Sequence, residues 1–314
     1  MRAIAQRFGQ LAIVLFLVTA IISLLISMLP GDLAEVSIPF GSDEQREALR
    51  EDLGLKDPLY VQYARWMGDF IRGDFGSFYR QGNVTPVLDR VKATAPVSLQ
   101  LMLYAQLLAL ALAIPLGILT AKRAGSVVDK GTNTAAYALL AVPNFVLALV
   151  LAYIVGVELE WLPPQGYVRL THDPVDHFRS MVLPTVSLAV GQVAIYMRLL
   201  RTDLVATLQQ DFILMAKSKG ITERRVLWRH ALRPSSLTLL TTAGLNVGTL
   251  IGGALILEII FNLDGMGRLI FEAISERQIV AIQSLVAIIA VAYVVVNFLV
   301  DLLYAIVDPR IRRA

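Results

Sequence analysis

The chain has 314 residues, 56% apolar and only 17% charged, with a net charge of +3 and no cysteine. A soluble domain carries nearer 25% charged residues, so the composition points away from an ordinary globular protein. Disulfides and thiolate metal sites are excluded, and His172, His177 and His230 are too few for a histidine-rich metal cluster.

The apolar residues gather into blocks of about 20, the length that crosses a hydrocarbon core about 30 Å thick. Six spans are expected at 11–29, 97–120, 135–157, 181–200, 237–257 and 281–300. Each must be a helix, because lipid offers the backbone no hydrogen-bond partner. Arg2 and Arg7 before the first block would suit a cleaved signal, but the apolar run is too long and no small-x-small site follows. The fold class is therefore an all-α integral membrane protein.

Between the first two spans lies an acidic segment, 30–96, with its own signals. Ser42 and Gln45 have the spacing of a capping box, and Gly54 would end the helix that follows. Asp57 and Pro58 would cap and begin a second helix. Leu59, Tyr63, Trp66 and Phe70 give that helix one apolar face, and Gly73 would stop it. The face either packs on the loop and the membrane surface or docks an external partner.

Pro115 in the second span and Pro143 in the third free backbone carbonyls and predict kinks. Arg198 and Arg201 end the fourth span, where they would snorkel to headgroups, or pair with Asp203 or Asp301. The spans carry neutral polar groups, Gln100, Gln106, Asn144, Gln192, Asn246, Gln283 and Asn297, where an ion-coupled carrier would bury charges.

The connection between the fourth and fifth spans, 201–236, is far longer than two neighbouring helices need. It reads as helix, glycine, helix. Residues 209–219 have helical composition and end at Gly220. Thr222 would cap a second helix with Glu223 in its first turn. Val226, Leu227, His230 and Ala231 share one face of it, and Arg224, Arg225 and Arg229 lie opposite. Such a basic segment can lie on anionic lipid or serve as a rigid knob gripped by another protein.

In the fifth span Gly244, Gly248 and Gly252 recur every four residues, a smooth stripe for packing within the subunit, for a subunit contact or for a gate. Asn246 in the same stretch would line a path or bond a neighbouring backbone. Beyond it, Glu258, Asp264 and Glu272 form either a solvated acidic rim or a guide for a cationic group.

Loop charge sets the orientation. The side holding the N-terminus, 121–134, 198–236 and the tail carries 16 Lys+Arg against 5 acids, and the other side 12 against 19. Both termini are then expected in the cytoplasm and segment 30–96 outside. The basic residues thus have a topological explanation, and nucleic acid is discounted.

The run Met215-Ala216-Lys217-Ser218-Lys219-Gly220, followed by His230-Ala231-Leu232-Arg233, resembles the EAA loop of bacterial ABC-importer permeases. Leu214 and Met215 depart from its first two letters, and Pro234 sits one place late. Leu29-Pro30-Gly31-Asp32, Leu53-Gly54-Leu55, Asp57-Pro58-Leu59, Gly73-Asp74-Phe75-Gly76-Ser77, Leu162-Pro163-Pro164 and Asp308-Pro309-Arg310 are similar to the dipeptide and oligopeptide branch.

The resemblance implies the first permease of a pair. Residues 1–29 would be an N-terminal membrane helix, 30–96 an extracytoplasmic loop domain, and 97–310 a five-helix permease domain with a cytoplasmic coupling loop at 201–234. It also implies a sister permease, two ATPase subunits or one fused pair, an extracytoplasmic substrate-binding protein and surrounding lipid as partners. Phe212, Ala216, Lys217, Gly220, Glu223, Arg224, Arg225 and Leu232 would make the ATPase-coupling element. Gly244, Asn246, Gly248 and Gly252 remain packing or gate residues.

The chain has no G-x-x-x-x-G-K-[ST] run, so ATP and magnesium would be bound by the partner ATPases and no cofactor is expected here. H-E-x-x-H and G-x-S-x-G are also missing, and the histidines fall in loops outside the spans. The expected role is half of a translocation path for di- or oligopeptides. Nickel chelates or glycosides are alternative solutes, and an ion-coupled carrier is the alternative class.

Overall fold

The computed structural model describes residues 2–28, 34, 42–52, 54–80 and 83–307. Residues 29–33, Leu53 and Asp308-Pro309-Arg310, which contribute to the resemblance, lie outside the described residues.

In chain order the elements are α1 (Arg2–Ser27), α2 (Asp43–Asp52), α3 (Leu59–Arg72), β1 (Ser77–Arg80), β2 (Asn83–Pro86), α4 (Val87–Lys122), α5 (Val127–Ala141) and α6 (Asn144–Leu151) with a π-helical segment Ala152–Glu158. There follow α7 (Pro174–Leu208), α8 (Asp211–Ser218), α9 (Glu223–Arg225) with a π-helical segment Val226–Ala231, α10 (Leu232–Ile260), α11 (Met266–Ser275) and α12 (Ile279–Val307). Among the described residues four helical runs are long and apolar enough to cross a membrane: Val87–Lys122, Pro174–Leu208, Glu223–Ile260 and Ile279–Val300. The bent pair α5 and α6 makes a fifth if taken as one span, and α1 holds a shorter apolar stretch, Ile13–Leu25. At 1.5 Å per residue the 36 residues of α4 reach about 54 Å, well beyond the hydrocarbon core.

The expected single span at 135–157 is broken. α5 stops at Ala141, α6 starts at Asn144, and the two are bent by 96°. Pro143 has no N–H for the preceding turn and its ring pushes Val142 out of the α region, to φ −91°, ψ 120°. At Pro115, in contrast, α4 stays helical throughout; nothing in the structure explains why the two prolines differ.

The chain divides into two compact units. The first comprises residues 1–98 and 264–295. The Ser42 capping box is present: the Gln45 N–H donates to the Ser42 hydroxyl at 3.3 Å, and the Ser42 N–H to the Gln45 side chain at 2.9 Å. Gly54 (φ 63°) and Gly73 (φ 90°) end their helices in the left-handed conformation. Asp57 does not cap α3. Pro58 holds the N-cap position without a side-chain bond, and the Asp57 carboxylate pairs instead with Arg65. Lys56 first, then Arg50, hydrogen-bonds Glu47 and holds its carboxyl below the ordinary range.

The apolar face of α3 is closed internally. Tyr63, Trp66, Phe70 and Phe75 form a chain of rings with centroids 5.1–5.7 Å apart, and Phe16 of α1 abuts Tyr63. Trp66 is 5% exposed and its indole N–H donates to Ser284 of α12 at 2.8 Å. The strands β1 and β2 pair antiparallel, Ser77 with Pro86 and Arg80 with Asn83. The Gln278 side chain accepts from the Tyr79 N–H and donates to the Tyr79 carbonyl. Phe78, Val87 and Val91 pack with Met266, Leu269, Ala273, Ala281, Ile282 and Leu285 as the core.

The second unit comprises residues 99–263 and 296–314 and is organised on α7. The Asp173 carboxylate caps that helix by accepting from the N–H groups of Val175 and Asp176, with Pro174 at its start. Helices α5, α6 and α10 pack along α7. His177 is not in a loop, as expected, but in the first turn of α7 and fully buried. One ring nitrogen lies 2.7 Å from the Val168 carbonyl and the other 3.2 Å from the Tyr104 hydroxyl.

Candidate functional site

The segment joining α7 to α10 is a compact reversal. α8 begins at Asp211 and ends where Gly220 adopts φ 75°. The Gly220 N–H donates to the Lys217 carbonyl at 2.9 Å and the Ile221 N–H to the Ala216 carbonyl at 3.3 Å, the bonds of a glycine-terminated helix. Thr222 occupies the next N-cap position, but its side chain makes no capping bond. The second helix is also not free-standing. It runs through the π-helical segment into α10 as one helical stretch, Glu223–Ile260. Pro234, in the first turn of α10, has no N–H to offer the preceding turn, and the wider turn comes just before it.

This reversal has a closed side and an open side. Ile213, Ala216, Val226, Leu227 and Ala231 are buried. Phe212, Leu214, Met215 and Trp228 stay 46%, 54%, 58% and 54% exposed. Thr222, Arg224, Arg225, Trp228 and Arg229 line an open groove of about 500 Å³. An exposed tryptophan among three arginines, with further exposed apolar side chains on α8, is the kind of surface that marks an interaction site.

Of the expected coupling residues, Phe212, Lys217, Gly220, Glu223, Arg224 and Arg225 are exposed. Ala216 is buried, and Leu232 is half-buried at the start of α10. Trp228 went unnoticed in the sequence, although a tryptophan between arginines in a loop was a signal available there.

The end of α7 that leads into the reversal is tied to α5. Arg201 does not reach for headgroups. Its Nε and an Nη donate to the two carboxylate oxygens of Asp129 at 2.5 and 2.6 Å. Asp129 is buried and also accepts from the Gly125 N–H and the Asn133 amide. Arg198 stacks 4.0 Å from the Tyr137 ring centroid and donates to a Tyr137 hydroxyl at 2.8 Å, so it too is engaged within the chain. Asp129 was the missed partner, 72 residues from Arg201 in sequence.

Gln106, Gln192 and Asn246 bond groups on neighbouring helices, whereas Gln100 bonds Tyr167 and Gln283 bonds Ser23. Tyr196 donates to the Gln106 carbonyl oxygen at 3.1 Å, and the Gln106 amide donates to the Ala243 carbonyl at 3.2 Å. The Asn246 amide donates to Gln192 at 3.0 Å, and Gln192 to the Thr249 hydroxyl at 3.4 Å. Asn246 therefore bonds a neighbouring side chain, not backbone.

The three glycines of α10 have different surroundings. A Cβ on Gly244 would collide with Val300 of α12, Gly248 is buried, and Gly252 faces open space. Gly253, outside the stripe, is also tight: its Cβ would meet Leu188 at 2.8 Å. Of the three acids expected to face solvent, Asp264 is exposed and Glu258 is not. Glu258 is fully buried, Asp264 pairs with Arg268 at 3.0 Å, and Glu272 pairs with Arg90 at 2.6 Å.

Residues 113–313 match the family described as binding-protein-dependent transport system inner membrane component, and residues 1–98 match the N-terminal region described for such membrane components. The oligopeptide transport system permease protein AppB of Bacillus subtilis is 40% identical over 286 residues, 90% of each chain. The probable peptide ABC transporter permease protein y4tP of Sinorhizobium fredii is 34% identical over 310 residues, 98% of each chain. A chain of the MetNI methionine ABC transporter in an inward-facing form superposes with a TM-score of 0.56 at 13% identity, covering 70% of this chain and 97% of that one, a likeness of fold. A family match over most of the chain, relatives aligned over nearly their full length and helices built to cross a bilayer agree: the chain belongs to the binding-protein-dependent transport system inner membrane components, multi-pass proteins of the bacterial inner membrane.

Proposed function

We propose that this chain is one permease of an ATP-driven importer for peptides and forms half of the translocation path. The observation that carries the proposal is the reversed, half-exposed apolar surface at 212–229, rimmed by arginines, on a chain with no phosphate-binding loop of its own. Peptide as the solute rests on what the relatives are named for.

In this account the chain crosses six times, with α1 and the bent α5–α6 pair each counted as one crossing. Both termini and the 209–231 reversal are cytoplasmic, in keeping with the Lys+Arg bias. An ATPase subunit grips the open side through Phe212, Met215 and Trp228, with Arg224, Arg225 and Arg229 meeting acidic groups. Because the reversal continues into α10 without a break and follows α7 by two residues, a push on it moves two membrane helices. A sister permease completes the path, a second ATPase serves that permease, and an extracytoplasmic binding protein delivers the solute. Transport needs two arrangements of the permease pair that its ligands bind unequally. The buried face of α3 gives segment 42–86 a structural role in the chain before any partner arrives.

The test is reconstitution. The complete complex with its binding protein should accumulate trialanine in liposomes only with ATP, and this chain alone should carry none. Flux through the chain alone without nucleotide would contradict the account.

A further inference from the structure

The structure places three side-chain amides and a hydroxyl together from three helices. Gln192 stands one residue past the midpoint of α7 and Asn246 at the midpoint of α10. Asn246 donates to Gln192, Gln192 to Thr249, and the Thr249 hydroxyl back to the Asn246 carbonyl at 2.8 Å. Asn144 opens α6 at the break after Pro143. Its amide lies between two glycines: a Cβ on Gly191 would stand 3.4 Å from its Oδ1, and one on Gly253 3.9 Å from its Nδ2. Among the described residues the Asn144 side chain has no hydrogen-bond partner, and neither glycine covers it.

The cluster is open. Thr249 is exposed, and Asn144, Gln192 and Asn246 are half-buried. An amide left unpaired in hydrocarbon costs several kcal/mol, and irregular backbone at membrane depth is tolerated only inside protein or along a water-filled cavity. Lipid is thus excluded as the neighbour. Thr242 and Thr238 follow Thr249 on the same face of α10, which also carries the exposed Leu245 and Ile256. No charge sits in the cluster, so it cannot select by charge. Side-chain amides offer donors and acceptors together, as a peptide bond does.

We propose that Asn144, Gln192, Asn246 and Thr249 form an uncharged station on the translocation path that takes backbone amides of the passing peptide. This rests on the chain being a peptide permease. It assigns to the station tolerance of side chains, because what it grips is common to all peptides.

The chain has no native cysteine, so Asn144→Cys and Thr249→Cys can be probed singly in the complete reconstituted complex. A charged, membrane-impermeant methanethiosulfonate should label both on this chain, trialanine with ATP should slow the labelling, and the label should stop trialanine uptake. Asn144→Leu should lower the trialanine uptake rate roughly tenfold, the size of one lost hydrogen bond. Cysteines labelled on the chain alone but silent in the complex would place the cluster against the sister permease and overturn the proposal. Silence in both, or labelling without loss of uptake, would also overturn it. If the unmodified complex carries no trialanine, the peptide function itself fails, while the labelling still decides whether the cluster meets water.

Discussion

Segments 42–86 and 209–231 use the same local grammar and finish differently. Each contains a short helix stopped by a left-handed glycine, Gly54 or Gly220, followed by a second helix with an apolar side. In the first the apolar side is closed: Trp66 is buried, rings stack against it and its indole is bonded to Ser284. In the second a tryptophan is left in the open beside arginines, and Phe212, Leu214 and Met215 are exposed as well. The sequence pattern alone does not separate a face that packs from a face that waits. The separation lies in which long-range partners the fold brings to it.

Three substitutions sharpen the contrast. Trp66→Ala should be the most damaging, about 3–5 kcal/mol for a large buried side chain that also loses a bond, whereas Trp228→Ala should change stability by no more than about 0.5 kcal/mol. Thermal unfolding of the purified chain reads both, and equal losses would erase the distinction. Asp129→Ala comes next, at about 3 kcal/mol, because it strands Arg201 beside a site built for a carboxylate. The same unfolding measurement reads it, and an unchanged midpoint would mean that the pair does not anchor α7, which leads into the reversal, to α5.

Gly220→Val should cost less than either buried substitution, about 1–2 kcal/mol of backbone strain at φ 75°. Its effect should show in coupling: ATPase activity stimulated by the binding protein should fall while membrane insertion is kept. Gly220→Asn should restore part of it, because asparagine tolerates the left-handed conformation. Full stimulation in the valine variant would show that the reversal need not be rigid.

Much of this was legible in the sequence because the bilayer leaves the backbone few choices. The spans of α4, α7, α10 and α12, the capping box at Ser42 and the glycine stops at Gly54, Gly73 and Gly220 are local signals, and the structure keeps them. What escaped was long-range or weakly patterned. The strands β1 and β2 have four residues each, too short for alternation to show. Arg201 could be read only as an arginine at a helix end until Asp129 was brought to it, and Glu258 looked solvent-facing until its helix was packed. Pro143 was visible as a breaker, but its 96° consequence was not, since Pro115 makes the same sequence signal inside an unbroken helix. Asn144, Gln192 and Asn246 were each visible as polar residues in apolar spans, and only the fold showed that they meet.

The most direct measurement is a cross-link from the open side of the reversal. Ser218 and Thr222 flank Gly220 and are both exposed. A cysteine at either position, in the assembled complex, should form a covalent bridge to a cysteine placed in the groove of the ATPase subunit. Bridging at one or both sites is the predicted result; no bridge at either, in a complex shown to be intact, would contradict the account.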